Sequence, residues 1–222
     1  MPGPYHRSRW ITDCDAQTLV GSRDEPVPLD GPVTASPSFR FRPVTRADAP
    51  MLHDWLCRPH VAEWWTPTPT LAMIEEEIDE RLDPASLVKS YIALLDGEPV
   101  GYIQSYIAMG SGGGWWPDER DPGVRGIDQY LANVGQLGLG IGTAMVRAFV
   151  EGLFADPAVT RIQTDPSPAN GRAIRCYEKA GFEAKGEIVT PDGAALLMVR
   201  ERRTGEVSGG SRAGAGRAGG RT

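Results

Sequence analysis

The chain has 222 residues and a formal net charge of −6. It is therefore long enough for one well-buried α/β domain, and its charge is unfavourable for nucleic-acid binding. It contains no run of about 18 apolar residues, and residues 1–10 lack the apolar core of a signal peptide, so we expect neither a membrane span nor export. An acidic domain would attract a polycation, although ordinary solvated surface acids explain the balance equally well.

The cysteine and histidine content favours a reduced, cytoplasmic setting without a metal. The chain contains three widely scattered cysteines, and no Cys/His spacing is typical of a metal site. His53 or His60 could act as a base, but a solvated or packed histidine is the simpler interpretation of each.

The two ends of the chain differ in composition from its middle. Residues 1–37 are rich in Pro, Gly and mixed charge without a sustained period, and residues 204–222 are of low complexity in Gly, Ala, Ser and Arg. Segments of such composition bury too little apolar surface to fold. We therefore predict a disordered extension at 1–37, one domain at 38–203 and a flexible tail at 204–222.

Cap and turn residues divide the domain into predicted elements. Thr45 and Thr70 are N-cap residues ahead of apolar stripes at helical spacing, and Asp96-Gly97 is a typical hairpin turn. Ser167-Pro168 resembles a cap followed by a proline in the first helical turn. In chain order we predict a strand at 39–43, helices after Thr45 and Thr70, strands at 90–95, 99–108 and 127–131, a helix to about 155, a strand at 159–164, a helix from 167 to 181 and two closing strands that turn at 191–193.

Three alternate glycines make residues 136–182 the most informative segment. Gln136-Leu-Gly-Leu-Gly-Ile-Gly-Thr143 ends immediately before an apolar helix pattern. Alternate glycines let the backbone turn its N–H groups toward one point, and the helix start adds free donors, which suits a pyrophosphate. The glycines lie too late in the chain and at the wrong spacing for a dinucleotide fold. No Gly-Lys-Ser/Thr follows, so a nucleotide-triphosphate loop is also excluded.

Together with that loop, the run Asn170-Gly-Arg-Ala-Ile-Arg-Cys-Tyr-Glu-Lys-Ala-Gly-Phe182 resembles the Gcn5-related N-acetyltransferase (GNAT) superfamily, which binds acetyl-CoA. One departure is Leu137, where the family usually has Gln or Arg. The resemblance implies an α/β (α+β) fold with a mixed, mostly antiparallel central sheet flanked by helices, in the order β-α-α-β-β-β-α-β-α-β-β. The coenzyme-binding residues that it implies are Gln129, Leu131, Gln136, Leu137, Gly138, Gly140, Ile141, Gly142, Thr143, Asn170, Ala173, Tyr177 and Lys179.

Strings outside the donor motif indicate the acceptor. Residues 61–65, 91–106, 110–116, 121–129, 161–167 and 190–193 closely resemble the aminoglycoside 6′-N-acetyltransferases. An aminoglycoside carries several ammonium groups on hydroxyl-rich rings, so its pocket needs separated carboxylates and flat apolar platforms. We expect most of the acidic run at 75–80 to be a solvated helix face and at least one tryptophan of each Trp-Trp pair to be core. The implied substrate-binding residues are Trp64, Trp65, Gln104, Ser111, Trp115, Trp116, Asp128, Tyr130, Asp165 and Asp192.

The same resemblance implies direct acetyl transfer. Asp128 is the candidate to bind the 6′-ammonium and act as base, although a carboxylate is a much weaker base than an amine and could serve mainly by positioning. Tyr177 is the candidate acid toward the coenzyme sulfur, with a packed helix tyrosine as the alternative. Backbone N–H groups at 129–131 would polarise the acetyl carbonyl. A Cys176 nucleophile is disfavoured.

Several points stay open at the level of sequence. Tyr130 stands where close relatives of this type carry a smaller Leu or Ser, so the range of aminoglycosides accepted is uncertain. Two other classes compete with the main hypothesis. One is a GNAT enzyme that acetylates a polyamine, a siderophore precursor or a peptide, and the other is a non-catalytic binder of aminoglycosides or acyl-CoA. A monomer and a homodimer are equally compatible with the sequence.

Overall fold

The computed structural model describes residues 38–202, and the predicted tails at 1–37 and 204–222 lie outside the described residues. The predicted order of elements is confirmed, with one short additional helix, α2. The elements are β1 (Phe39–Pro43), α1 (Ala49–Cys57), α2 (Pro59–Ala62), α3 (Leu71–Leu82), β2 (Val88–Leu95), β3 (Glu98–Ile107), β4 (Val124–Leu131), α4 (Ile141–Phe154), β5 (Arg161–Thr164), α5 (Gly171–Lys179), β6 (Glu183–Thr190) and β7 (Gly193–Glu201).

The strands form a seven-stranded sheet in the order β1-β2-β3-β4-β5-β7-β6. Every neighbouring pair is antiparallel except β4 and β5, which α4 connects as a parallel crossover. The β4–β5 pairing covers only Val124, Arg125 and Gly126, so the two strands diverge beyond that point. The second half of β4 therefore has an edge that β5 does not cover.

Helices pack on both faces of the sheet because strand side chains alternate between the faces. On one face, Tyr102 and Tyr130 join the buried residues of α1 and α3 in one core cluster. On the other face, Ile103 and Ile127 pack with residues of α4 and α5. Even-numbered residues at the end of β4 therefore belong to the α1/α3 side of the sheet, and Ile127 belongs to the α4/α5 side.

The predicted caps are confirmed at the first two helices. The backbone N–H of Met73 donates to Thr70 Oγ1 at 3.4 Å at the start of α3. Thr45 forms a capping box with Asp48, but the residues after Thr45 make one 3₁₀ turn, so the α-helix itself begins at Ala49.

The predicted start of α5 at 167 was wrong. The helix begins after Asn170, whose Oδ1 accepts a hydrogen bond from the backbone N–H of Ala173 at 3.0 Å. The preceding segment is held beside β7, because the backbone N–H of Leu196 donates to the carbonyl of Pro166 at 2.9 Å. Residues 167–170 then form a turn of their own, in which the backbone N–H of Asn170 donates to the carbonyl of Ser167 at 2.9 Å, so the helix begins later than predicted.

Asp48 joins β1 to the start of the first helix. Its two carboxylate oxygens accept hydrogen bonds from both Nη atoms of Arg42, at 2.6 and 2.7 Å, and one of them also accepts from the backbone N–H of Thr45 at 2.8 Å. The Asp48 residue is 7% exposed. The hydrogen bond from Arg42, assisted by those from Thr45, holds the pKa of Asp48 below its ordinary value.

We expect Asp48→Asn to lower the free energy of unfolding by about 1.5–3 kcal/mol near pH 7, because it removes a charge-assisted, bidentate pair. Since the pKa is depressed in the folded state, this contribution is present above the unfolded carboxyl pKa of about 4 and is lost as pH falls through the folded value. Urea unfolding of both proteins across this range should show the difference shrinking toward low pH.

Asp79→Asn is the control, because the Arg46–Asp79 pair is exposed. It should cost less than about 1 kcal/mol. A wild-type advantage over Asp48→Asn that is constant at all pH values would contradict this account.

Candidate functional site

The end of β4 lies between two depressions. Asp128 lines the first, which we name the α3 cavity, with a volume of about 260 Å³. Gln129 lines the second, which we name the glycine-loop groove, with a volume of about 600 Å³. Tyr130 and Trp65 line both. Because neighbouring residues of one strand serve the two depressions, groups bound in each would meet beside β4.

Aromatic rings form the wall between the depressions. Tyr102 and Tyr130 stack with ring centroids 5.3 Å apart and an interplanar angle of 18°. Trp65 packs edge-on against both, at 5.9 and 5.0 Å. Burial, and to a smaller extent Tyr102, raise the pKa of Tyr130 well above its ordinary value, so the phenol is neutral. These rings offer a flat apolar platform to a bound ring.

Asp128 is a buried carboxylate held from the neighbouring strand. It is 5% exposed and lies directly across from Gln104 in the β3–β4 register. Gln104 Nε2 donates to Asp128 Oδ2 at 2.8 Å, and Gln104 Oε1 accepts from the hydroxyl of Tyr102 at 2.7 Å. Asp165, 4% exposed, follows β5 and lines the same cavity. Two buried carboxylates in one cavity suit an ammonium group.

The glycine loop opens toward its groove. Gly138 and Gly140 have φ of +79° and +83°, and Gly140 is the N-cap of α4. A Cβ atom added at either would meet nothing within 4 Å, so space is open beside the backbone. The first N–H groups of a helix have no intrahelical acceptor, so the start of α4 is suited to bind an anion.

The charges in the two depressions have opposite signs. The groove contains three cationic side chains, Arg172, Arg175 and Lys179, all on α5, against the single carboxylate Glu63, a formal net charge of +2 with histidine neutral. The α3 cavity contains three carboxylates and two cationic side chains, a formal net charge of −1. The groove therefore suits a polyanion and the cavity suits a cation.

Cys176 lines the groove but is not activated. Its Sγ accepts a hydrogen bond from Thr143 Oγ1 at 3.7 Å. Burial raises the pKa of the Cys176 thiol, so the thiol is protonated near neutral pH. A protonated thiol is a poor nucleophile, which disfavours a covalent acyl-cysteine intermediate.

Most of the coenzyme-binding residues predicted from sequence line the groove. Ile141 does not, because it packs against a core cluster beneath the start of α4. The residues that the structure brings together there are Gln129, Leu131, Gln136, Leu137, Gly138, Gly140, Gly142, Thr143, Asn170, Ala173 and Lys179.

Tyr177 lies in the core beneath the groove. It is 4% exposed, and its ring packs against Phe182 with centroids 5.4 Å apart. It belongs to the cluster between the sheet and α4, and it does not line the groove. Its role as an acid toward the coenzyme sulfur therefore stays a prediction.

The predicted substrate-binding residues divide into two groups. Six line the α3 cavity: Trp65, Gln104, Trp115, Asp128, Tyr130 and Asp165. Trp64 lines the groove instead, because α2 and the turn after it pass along that side. The remaining three, Ser111, Trp116 and Asp192, line neither depression.

Those three residues lie in or near the loop after β3. Ser111 is fully buried, and its hydroxyl donates to the carbonyl of Trp115 at 3.2 Å, so it stabilises the loop. Trp116 Nε1 donates to the Tyr106 hydroxyl at 3.1 Å. Asp192 is exposed in the β6–β7 turn. Its neighbour Pro191 lies close to Gly114 in the loop after β3, since a Cβ atom built on Gly114 would be 3.4 Å from Pro191 Cγ. The turn therefore reaches this loop but not the cavity.

Several residues that line the two depressions were not predicted from the sequence. Tyr102, Glu77 and Arg81 line the α3 cavity, and Arg172 and Arg175 line the groove. For two of them the sequence contained a signal: Glu77 and Arg81 are four residues apart, a spacing that places an ion pair on one face of α3. The structure contains that pair. The expectation of a solvated acidic face holds for Glu76, Asp79 and Glu80, which are exposed.

Among residues 38–202, no helix is long and apolar enough to cross a membrane. Within the same range, no three His, Cys, Asp or Glu side chains are grouped so that they could hold a metal ion.

Comparison with known proteins decides the family. The model of the acetyltransferase (GNAT) domain matches residues 44–190. This chain belongs to the GNAT acetyltransferase family. Over 172 residues it is 57% identical to the aminoglycoside N(6′)-acetyltransferase type 1 of Klebsiella pneumoniae, an alignment that covers 76% of this chain and 86% of that protein. The chain is therefore an acyltransferase enzyme.

Two further relatives extend the comparison. The kanamycin resistance protein of Rhizobium radiobacter is 67% identical over 94 residues, which cover 42% of this chain and 87% of that protein. The crystal structure of aminoglycoside acetyltransferase AAC(6′)-Ib in complex with coenzyme A and kanamycin matches this GNAT chain with a TM-score of 0.71 and 59% identity, covering 74% of this chain and 95% of that one. The predicted mixed sheet of the superfamily is thus confirmed.

Proposed function

We propose that this GNAT enzyme transfers the acetyl group of acetyl-CoA to the 6′-amine of an aminoglycoside, which inactivates the antibiotic. The observation that carries the proposal is the pair of oppositely charged depressions on either side of β4. Carboxylates and aromatic rings line one, and helix-start N–H groups and cationic side chains line the other. The activity named for the relative of Klebsiella pneumoniae requires an acetyl donor and an aminoglycoside, and the relative of Rhizobium radiobacter is named for resistance to kanamycin.

The groove fits a coenzyme that carries several phosphates. The N–H groups after Gly138 and Gly140 would hold the pyrophosphate, and the three cationic side chains of α5 would bind the remaining anionic charge. When bound, acetyl-CoA supplies the thioester that is attacked. The edge of β4 at 129–131, which β5 does not cover, would supply backbone donors to the acetyl carbonyl oxygen.

The α3 cavity would hold the aminoglycoside ring that carries the acceptor amine. Asp128 would bind the 6′-ammonium and receive its first proton, directly or through water. The free amine attacks the acetyl carbon, and the carbon–sulfur bond breaks. Of the two protons that the nitrogen loses, one ends on the coenzyme sulfur and the other leaves to solvent, so the products are the amide, the thiol and one released proton.

Tyr130 is the residue that we expect to limit the substrate range. Its ring is 7% exposed, lies between Trp55 and Trp65, and forms part of both depressions. A larger side chain at this position leaves less room for substituents on the acceptor ring than Leu or Ser would. A cytoplasmic location and a monomeric or homodimeric state stay predictions from the sequence.

The product tests the proposed reaction directly. Incubation with acetyl-CoA and kanamycin should release one thiol per acetylated product, and mass spectrometry with NMR should locate a single acetyl group on the 6′ nitrogen. An acetyl group on another amine or on a hydroxyl would contradict the proposal. Faster turnover of spermidine or a lysine derivative than of kanamycin would favour the alternative GNAT substrates instead.

Gly140→Asp tests the glycine-loop groove. The substitution adds a carboxylate beside the expected phosphate and strains a residue at φ +83°. We expect the Kd of acetyl-CoA to rise at least tenfold, about 1.4 kcal/mol, as measured by calorimetry. Gly97→Asp is the matched control, because Gly97 also has positive φ and open space but lies in the β2–β3 turn. If both variants lowered the melting temperature but left coenzyme affinity equal to wild type, the groove assignment would fail.

Asp128→Asn separates chemistry from coenzyme binding. It keeps the shape but removes a charge that should contact the ammonium, which costs about 1.5–3 kcal/mol, and loss of base assistance adds about 10²–10⁴-fold in rate. We expect kcat/KM for kanamycin to fall by about two decades or more, with acetyl-CoA affinity unchanged. Steady-state kinetics with the exposed Asp79→Asn variant as control provides the measurement. A loss of less than about fivefold would show that Asp128 is structural.

A further inference from the structure

Arg81 is an unexpected residue in the wall of a cavity for a polycation. Its guanidinium carries the same sign of charge as the proposed substrate, and its side chain is 18% exposed. Glu77, one turn earlier on α3, pairs with it and compensates the charge. A partly buried cation at such a place repels a nearby substrate ammonium unless a neighbouring anion compensates its charge. The guanidinium of Arg81 also donates hydrogen bonds to two hydroxyl groups, and these bonds suggest its role.

The guanidinium begins a directed chain of hydrogen bonds. Arg81 Nη1 donates to Ser90 Oγ at 2.9 Å and also donates to the hydroxyl oxygen of Tyr102. A guanidinium has donors and no acceptor, so the Tyr102 oxygen accepts from it. Ser90 Oγ lies 2.9 Å from the same oxygen and could either donate to it or accept from it, whereas the amide oxygen of Gln104 can only accept, so the Tyr102 proton is directed to Gln104. That proton is donated to Gln104 Oε1 at 2.7 Å. Gln104 is thereby left with its Nε2 to donate to Asp128 Oδ2 at 2.8 Å.

This direction determines which end of the Gln104 amide faces Asp128. A side-chain amide has a donor end and an acceptor end of nearly equal size, so its orientation depends on its partners. If the Tyr102 hydroxyl reversed and accepted from Gln104, the amide would turn its oxygen toward the carboxylate. Two acceptors would then face each other in a buried site, which is unfavourable. Arg81 disfavours this reversal, because it already donates to the Tyr102 oxygen and a reversed Gln104 amide would have to donate to the same oxygen.

We propose that Arg81 is a positioning residue for the acetyl transfer: through Tyr102 and Gln104 it fixes the Asp128 carboxylate that receives the acceptor amine. The inference rests on the proposed function and adds a residue on α3 to the site. Besides the hydrogen bonds of Arg81, helix α3 is held on the sheet by Ile74 and Ile78, which are 3% and 4% exposed in the core beneath it. Loss of the guanidinium should therefore change the site more than the fold.

The test compares kinetic effects of single and double variants. Arg81→Met should lower kcat for kanamycin at least about tenfold while the KM of acetyl-CoA stays within about twofold of wild type. Arg81→Lys, which retains a cationic donor, should recover most of the rate. Tyr102→Phe breaks the same chain by the loss of one oxygen and should lower kcat for kanamycin in the same way. It provides an independent test if Arg81→Met folds poorly. The double variant should be no slower than about the slower single variant, because both changes interrupt one pathway.

Arg46→Met is the matched control, because Arg46 also pairs with α3, through Asp79, but at the exposed surface. It should leave kcat unchanged. The positioning role is overturned if the effects of Arg81→Met and Tyr102→Phe multiply, if Arg81→Lys fails to recover activity, or if Arg81→Met leaves kcat at the wild-type value. In the last case wild-type kanamycin acetylation would still support the proposed function. A wild-type enzyme that does not acetylate kanamycin would overturn both proposals.

Discussion

The divergence of β4 from β5 is the constraint on which the rest of the site depends. The two strands pair only as far as Gly126, and beyond it the β5-facing edge of β4 has no strand partner from β5. The alternation of side chains then assigns Asp128 to the α3 cavity and Gln129 to the glycine-loop groove. A continuous sheet at this point would cover that edge and close the groove. The open edge lets a donor and an acceptor approach the same few residues from two directions.

The charged side chains are divided between the groove and the cavity in the same way. The cationic side chains of α5 and the start of α4 face the groove, whereas Asp128 and Asp165 lie in the cavity. An anionic donor in the groove would therefore lie beside cationic side chains, and a cationic acceptor in the cavity would lie beside carboxylates. The aromatic wall of Tyr102, Tyr130 and Trp65 lies between the two. Asp128 is 5% exposed, and at so buried a position a misdirected hydrogen bond is costly, which is why the orientation of Gln104 matters.

Local signals predicted the elements whose determinants lie within a few residues. Thr70 caps α3 through a backbone N–H three positions away, and Gly140 has a positive φ, a conformation that glycine adopts without strain. The start of α5 was mispredicted because residues 167–170 form a separate turn, in which the backbone N–H of Asn170 donates to the carbonyl of Ser167 at 2.9 Å, and the helix begins only after Asn170. The placement of Ser111 could not be predicted from the sequence either, since its burial depends on how the loop after β3 folds back.

By itself, the sequence determined the family, the order of the elements, and the glycine loop with its helix start, because each depends on residues that are near neighbours in the chain. The chain from Arg81 through Tyr102 and Gln104 to Asp128 was decided only by the tertiary structure. Its members come from α3, β3 and β4, and no spacing in the sequence predicts the register that sets Gln104 opposite Asp128. Hydrogen-bond direction depends on which atoms face each other in space, and that is settled only when helix and strands pack together.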